Sequence, residues 1–151
     1  LIQDLEDNLQ LIETDMTIFF RNLSQFSKQK PTLGLPLIKD AFYNIEDLNT
    51  SIEKKWQEWF NRYAQRLNQE TLSCKLRALK MNAVNPKYVL RNYMSQLAID
   101  DANKGDYKLI DQLFELLKKP YDEQPEYKKW FAKRPEWARH KVGCSMLSCS
   151  S

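Results

Sequence analysis

The sequence predicts an all-α fold: an irregular bundle of about six to eight helices with an extended, flexible C-terminal tail. Three observations predict it. Apolar residues recur at steps of three and four, which keeps one face of a helix apolar. No segment alternates with the period of two that a half-buried strand needs. No unit of about 20–50 residues repeats, which disfavours a solenoid.

The first pattern runs through Leu5, Leu9, Ile12, Met16, Phe19, Leu23 and Phe26. Thr14 and Asp15 can cap a second helix inside it, so one helix or two are both open. The run barely reaches the heptads a coiled coil wants, and core packing is expected instead. Pro31, Gly34 and Pro36 break the chain, and a short helix is expected around Leu37 to Tyr43. Ile52, Trp56, Trp59, Phe60, Tyr63 and Leu67 then form an aromatic stripe at helical spacing, with Glu58 and Arg62 paired on the polar face. Such a stripe reads as core or as an interdomain face. Leu72, Leu76 and Leu79 continue at helical spacing.

Asn85-Pro86 reads as a helix start, since Asn caps and Pro suits the first helical position. That helix is expected to run through Val89, Tyr93, Leu97 and Ala98 and to end at Gly105. Asp106 is expected to cap the next one, which carries Leu109, Ile110, Leu113, Phe114 and Leu117. Lys118 and Lys119 suit its negative end, and Pro120 stops it. These readings divide the chain into a helical bundle over 1–119, a Pro- and aromatic-rich wrapping segment with short helices over 120–143, and a flexible Cys-containing tail over 144–151.

Composition narrows the function. The 151 residues suit one domain or a piece of a larger protein. Hydrophobic residues make up 42% and charged residues 28%, which fits neither a disordered tail nor a membrane span. Three glycines cannot build a Gly-rich phosphate cradle. The chain opens at Leu1, inside an amphipathic and acidic stretch without a signal-peptide pattern, and so reads as cut from a longer protein. Residues 1–70 hold 8 basic and 11 acidic side chains, and residues 71–151 hold 15 and 9. That excess is read as a solvated helix surface, with an anionic partner as the alternative. Three cysteines are too few and unpaired for a secreted disulfide scaffold, which indicates a reducing compartment.

Chemistry-bearing residues are sparse. His140 is the single histidine and reads as a surface residue. Adjacent Asp100 and Asp101 diverge on a helix. Asp122 and Glu123 can serve a helix N-terminus before Pro125. Asn82 and Asn85 read as turn and cap residues, or as an anchor for stray backbone groups. Cys74 stands alone, without a C-x2-C pair for zinc. Cys144 and Cys149 are expected on a mobile segment, close enough to pair with each other or with a cysteine elsewhere, and Arg139 and Lys141 would favour a thiolate. Spacing alone leaves a redox role and an incidental one both open.

Several blocks resemble the C-terminal region of the selenoprotein O family. They are Asn85-Pro86-Lys87-Tyr88-Val89-Leu90-Arg91-Asn92-Tyr93, Gly105-Asp106-Tyr107, Pro120-Tyr121-Asp122, Arg134-Pro135-Glu136-Trp137-Ala138 and the ending Ser148-Cys149-Ser150-Ser151. Asp15-Met16-Thr17-Ile18-Phe19-Phe20-Arg21 also fits. The resemblance implies a kinase-like protein adenylyltransferase, which moves AMP from ATP, with Mg2+, to Ser, Thr or Tyr hydroxyls of proteins. It places the nucleotide machinery upstream, so no catalytic, cofactor-binding or metal-binding residue falls on this chain. It implies a redox role for Cys149, with Cys144 as a possible partner. The implied partners are N-terminal kinase-like lobes of the same polypeptide and the protein substrates, not a membrane or a nucleic acid. The implied compartment is the bacterial cytoplasm, or the mitochondrion for a eukaryotic source. The competing reading is a stand-alone helical interaction module whose positive second half binds an acidic protein or nucleic acid.

Overall fold

A computed structural model describes residues 1–144. Cys149, the 145–151 part of the expected tail and its expected flexibility lie outside the described residues. Among the described residues the chain is all-α. Seven α-helices and five short 3-10 segments follow one another without a strand, and Thr14 and Phe42 make one isolated antiparallel bridge.

The chain divides into two compact units, Leu1–Asn85 and Pro86–Ser151. The units part at Asn85, and the segment after Pro120 belongs to the second. The physical reason lies in the second unit. The Pro120 carbonyl accepts from the backbone N–H groups of Lys87 (2.8 Å) and Tyr88 (3.1 Å), which ties the segment after Pro120 to the start of the same unit.

In the first unit the opening pattern makes two helices, α1 (Ile2–Leu9) and α2 (Met16–Leu23). Asp15 decides between them: its carboxylate accepts from Ile18 N at 3.0 Å and starts α2. A short α3 (Gly34–Ile38) and a 3-10 turn over Lys39–Ala41 stand where one short helix was expected, about three residues earlier. The aromatic stripe builds α4 (Thr50–Asn68), capped by Asn49, and α5 follows (Cys74–Val84), capped by Ser73. Trp56, Phe60, Phe19, Phe26, Phe42 and Ile38 are fully buried and form the centre of this unit. The ring centroids of Phe26 and Phe60 stand 5.3 Å apart and those of Phe19 and Trp56 5.7 Å apart. The stripe is core. Gly34 belongs to the same packing, because a Cβ there would collide with the Phe60 ring.

The second unit holds α6 (Asn92–Ala102) and α7 (Lys108–Leu117). Asn85-Pro86 does not start a helix. Asn85 instead ends α5, with its side-chain amide on the Met81 carbonyl at 2.8 Å, and residues 86–91 run without helix to α6. Burial of Tyr88 and its hydroxyl bond to the Gln124 carbonyl (2.9 Å) hold that stretch away from helix. Gly105 adopts φ +83° in the turn after α6, as the left-handed region requires, and Asp106 accepts from Lys108 N (3.0 Å) as α7 begins. Beyond α7, 3-10 turns over Pro125–Trp130 and Glu136–Arg139 pack onto the helix pair. Tyr88, Tyr93, Met94, Leu113, Leu116, Trp130, Ala138 and Cys144 share one core.

Candidate functional site

The sequence directs attention to the last cysteines, and the structure shows what carries them. Residues 136–144 form a strap over α6. The Trp137 ring meets Tyr93 edge-on at 6.2 Å, and Ala138 is fully buried beneath the 3-10 turn. Lys141 donates to the Asp100 carboxylate at 2.5 Å, and Gln96 donates to the other Asp100 oxygen at 2.7 Å. Gln96 and Asp100 are one helical turn apart, so α6 presents a preformed acceptor to the strap. The Lys141 ammonium and then the Gln96 amide hold the Asp100 carboxyl below its usual value of 3.8. Gly143 turns the chain with φ +89°, where a Cβ would stand 2.6 Å from Gln96 Oε1. The turn closes on Cys144, whose N–H donates to the Lys141 carbonyl at 3.0 Å.

Cys144 was expected on a mobile segment, and the structure places it elsewhere. Its side chain is fully buried in the core that includes Met94, Ala98, Leu113 and Leu116. Chain polarity hid this: the residues around it are small and polar, but the Trp137 ring and the Lys141–Asp100 ion pair hold the strap on α6. As placed, the thiol acts as a small apolar group. While the strap is docked, the thiol has no surface open to solvent. Cys74, at the start of α5, is half-buried with its thiol 3.7 Å from Gln29 Oε1.

The other candidates are structural. Asp100 and Asp101 diverge as expected, to Lys141 and to Lys104 (3.3 Å). Glu123 pairs with Lys87. His140 is exposed. At the end of α5 the backbone carbonyls of Asn82 (3.2 Å) and Asn85 (3.0 Å) accept from the buried Arg21 guanidinium. Arg77 is buried too and donates to the Ser24 and Phe26 carbonyls under a cation–ring contact with Phe26. Sequence reasoning missed these arginines, because the carbonyls they serve lie more than fifty residues away in the chain.

No group of three or more His, Cys, Asp or Glu side chains is placed to hold a metal among the described residues. Each glycine is committed elsewhere: Gly34 to the Phe60 ring, Gly105 to the turn after α6, Gly143 to the strap.

Fold and strap define the class: an all-α chain of two helical units, the second closed by a C-terminal strap. Residues 1–118 match the family model described as protein adenylyltransferase SelO, and the chain belongs to that family. Similar curated proteins are the protein nucleotidyltransferases YdiU of Flavobacterium johnsoniae (61% identical), Aromatoleum aromaticum (45%) and Rhodopirellula baltica (44%). Each alignment spans the whole of this chain but only 29%, 28% and 30% of those proteins. No helix among the described residues is long and apolar enough to cross a membrane.

Proposed function

We propose that this chain is the C-terminal helical part of a cytoplasmic protein adenylyltransferase, and that it supports kinase-like lobes lying elsewhere in the polypeptide. The whole protein would move AMP from ATP, with Mg2+, to Ser, Thr or Tyr hydroxyls of other proteins. The hydroxyl oxygen bonds the α-phosphorus, pyrophosphate leaves, and the hydroxyl proton passes to a base outside this chain. The observation that carries this reading is the family match over residues 1–118. It is supported by relatives named protein nucleotidyltransferase at 44–61% identity over the whole of this chain.

The test is direct. The full-length protein, given ATP labelled on the α-phosphate, should label a protein substrate or itself. Calorimetry of residues 1–151 with ATP and Mg2+ should show no micromolar binding. Failure of the full-length protein to transfer label, or micromolar ATP binding by this chain, overturns the reading.

The tail belongs to the same proposal. Cys149 is the redox position, and two thiols that join lose two electrons and two protons to an oxidant such as hydrogen peroxide, which becomes water. Cys144 can be the second thiol only when the strap has lifted it from the core. Under mild peroxide, mass spectrometry should find Cys149 modified before Cys74; the reverse order counts against the assignment.

A further inference from the structure

The apolar residues of α7 form one wide arc. Leu113 and Leu116 enter the core of the second unit, with Leu109 packed against it. Ile110, Phe114 and Leu117 instead line a groove of about 400 Å3, opposite Leu90, Ser95, Ala98, Ile99 and Ala102 of α6 and the stretch before it. Phe114 is 62% exposed and Ile99 52%. At about 100° per residue the apolar residues of α7 cover an arc of about 160°, wider than the roughly 100° stripe with which a helix covers its own core.

The groove has a form as well as a composition. Its floor is small (Ser95, Ala98, Ala102) and its walls are large (Leu90, Ile99, Ile110, Phe114). Its lining is almost wholly apolar, with only Ser95 and Asn103 polar. A strand or loop laid there would leave backbone N–H and C=O groups facing hydrocarbon without partners. A helix satisfies its own backbone and needs from the groove only apolar contact. An amphipathic helix with apolar residues at i, i+3 or i+4, and i+7 fits this shape. The chain spans under a third of the length of its curated relatives, so most of the polypeptide that could supply this helix lies outside these residues.

We propose that the α6–α7 groove seats an amphipathic helix of the same polypeptide, contributed from outside residues 1–151. The assignment rests on the reading that this chain is one part of a longer SelO-family protein. It gives the supporting role a definite surface, at Leu90, Ile99, Ile110 and Phe114.

The experiment uses the full-length protein carrying a photoreactive benzophenone side chain at position 114, and in a second variant at position 110. After irradiation, the cross-linked peptide is identified by mass spectrometry, with light and heavy isotope copies mixed so that links between two copies are recognised. The expected product joins position 114 or 110 to a peptide outside residues 1–151 of the same copy. Adding Ile99→Asp should lower its yield at least about fivefold, because the carboxylate would be buried without a partner. A link between light and heavy copies would make the occupant a second molecule and overturn the proposal. A link confined to residues 1–151, or no link from either position, would overturn it as well. AMP transfer is measured on the same protein: transfer without the expected link sinks the groove alone, and absence of transfer sinks the reading beneath it.

Discussion

A single side chain, Gln124, closes the second unit. Its amide donates to the Leu116 (3.0 Å) and Lys119 (2.8 Å) carbonyls at the end of α7, each of which also accepts one backbone N–H, from Lys119 (3.4 Å) and Asp122 (3.1 Å). The backbone carbonyl of the same residue accepts from the Tyr88 hydroxyl. One residue thus joins the non-helical entry of the unit, the end of its last α-helix and the segment after Pro120. Gln124→Ala would take the side-chain donor from both carbonyls while their backbone donors remain, and the loss of two bonds of about 0.5–1.5 kcal/mol each should destabilise the unit by about 1–3 kcal/mol in a denaturant titration. A loss under about 0.3 kcal/mol would show that water replaces the amide without cost. Nothing in the sequence marks Gln124, since glutamine reads as surface by default. Asn85 shows the opposite limit. Its capping chemistry was legible, but the same asparagine can end a helix or begin one, and only the tertiary bonds of Lys87 and Tyr88 to Pro120 decide which.

Among the elements, those with strong apolar periodicity were readable from the sequence, and α4 follows its stripe closely. The strap was not, because its hold on α6 comes from an ion pair forty-one residues apart and from two rings, with no period to reveal it. Asp100 gives the strap a pH dependence. Its folded carboxyl titrates below 3.8, so the fold gains from the ionised form. That contribution is present above the unfolded pKa near 3.8 and is lost as pH falls through the lower folded value. Lys141 stays charged throughout this range, and Lys104 adds a weaker attraction to the same carboxylate. Hydrogen exchange at the Cys144 amide, corrected for its intrinsic rate, should lose protection below about pH 3.8. Asp100→Asn should lower that protection at neutral pH and flatten its acid dependence. An unchanged acid profile in Asp100→Asn would show that the rings alone hold the strap.

At the scale of the whole molecule the question is what the basic second half is for. Fifteen basic side chains against nine acidic ones over 71–151 suggest an anion-binding face when counted along the chain. The structure distributes them differently. Arg77 and Arg91 are buried. Lys87 holds Glu123, Lys104 holds Asp101, Lys118 holds Glu115, Arg139 holds Glu136 and Lys141 holds Asp100. Exposed pairs of this kind contribute little stability, but each draws a cation away from a common field. Nucleic-acid affinity depends on phosphates neutralised together, and its salt dependence scales with their number. The chain should therefore bind single-stranded DNA no more tightly than about 10^-4 M at physiological salt, the weak end of non-specific affinity. A titration of fluorescently labelled single strands at two salt concentrations measures this. Micromolar affinity that falls steeply with salt would mean that the remaining lysines converge on one face, and would favour an interaction module over a support for other parts of the polypeptide.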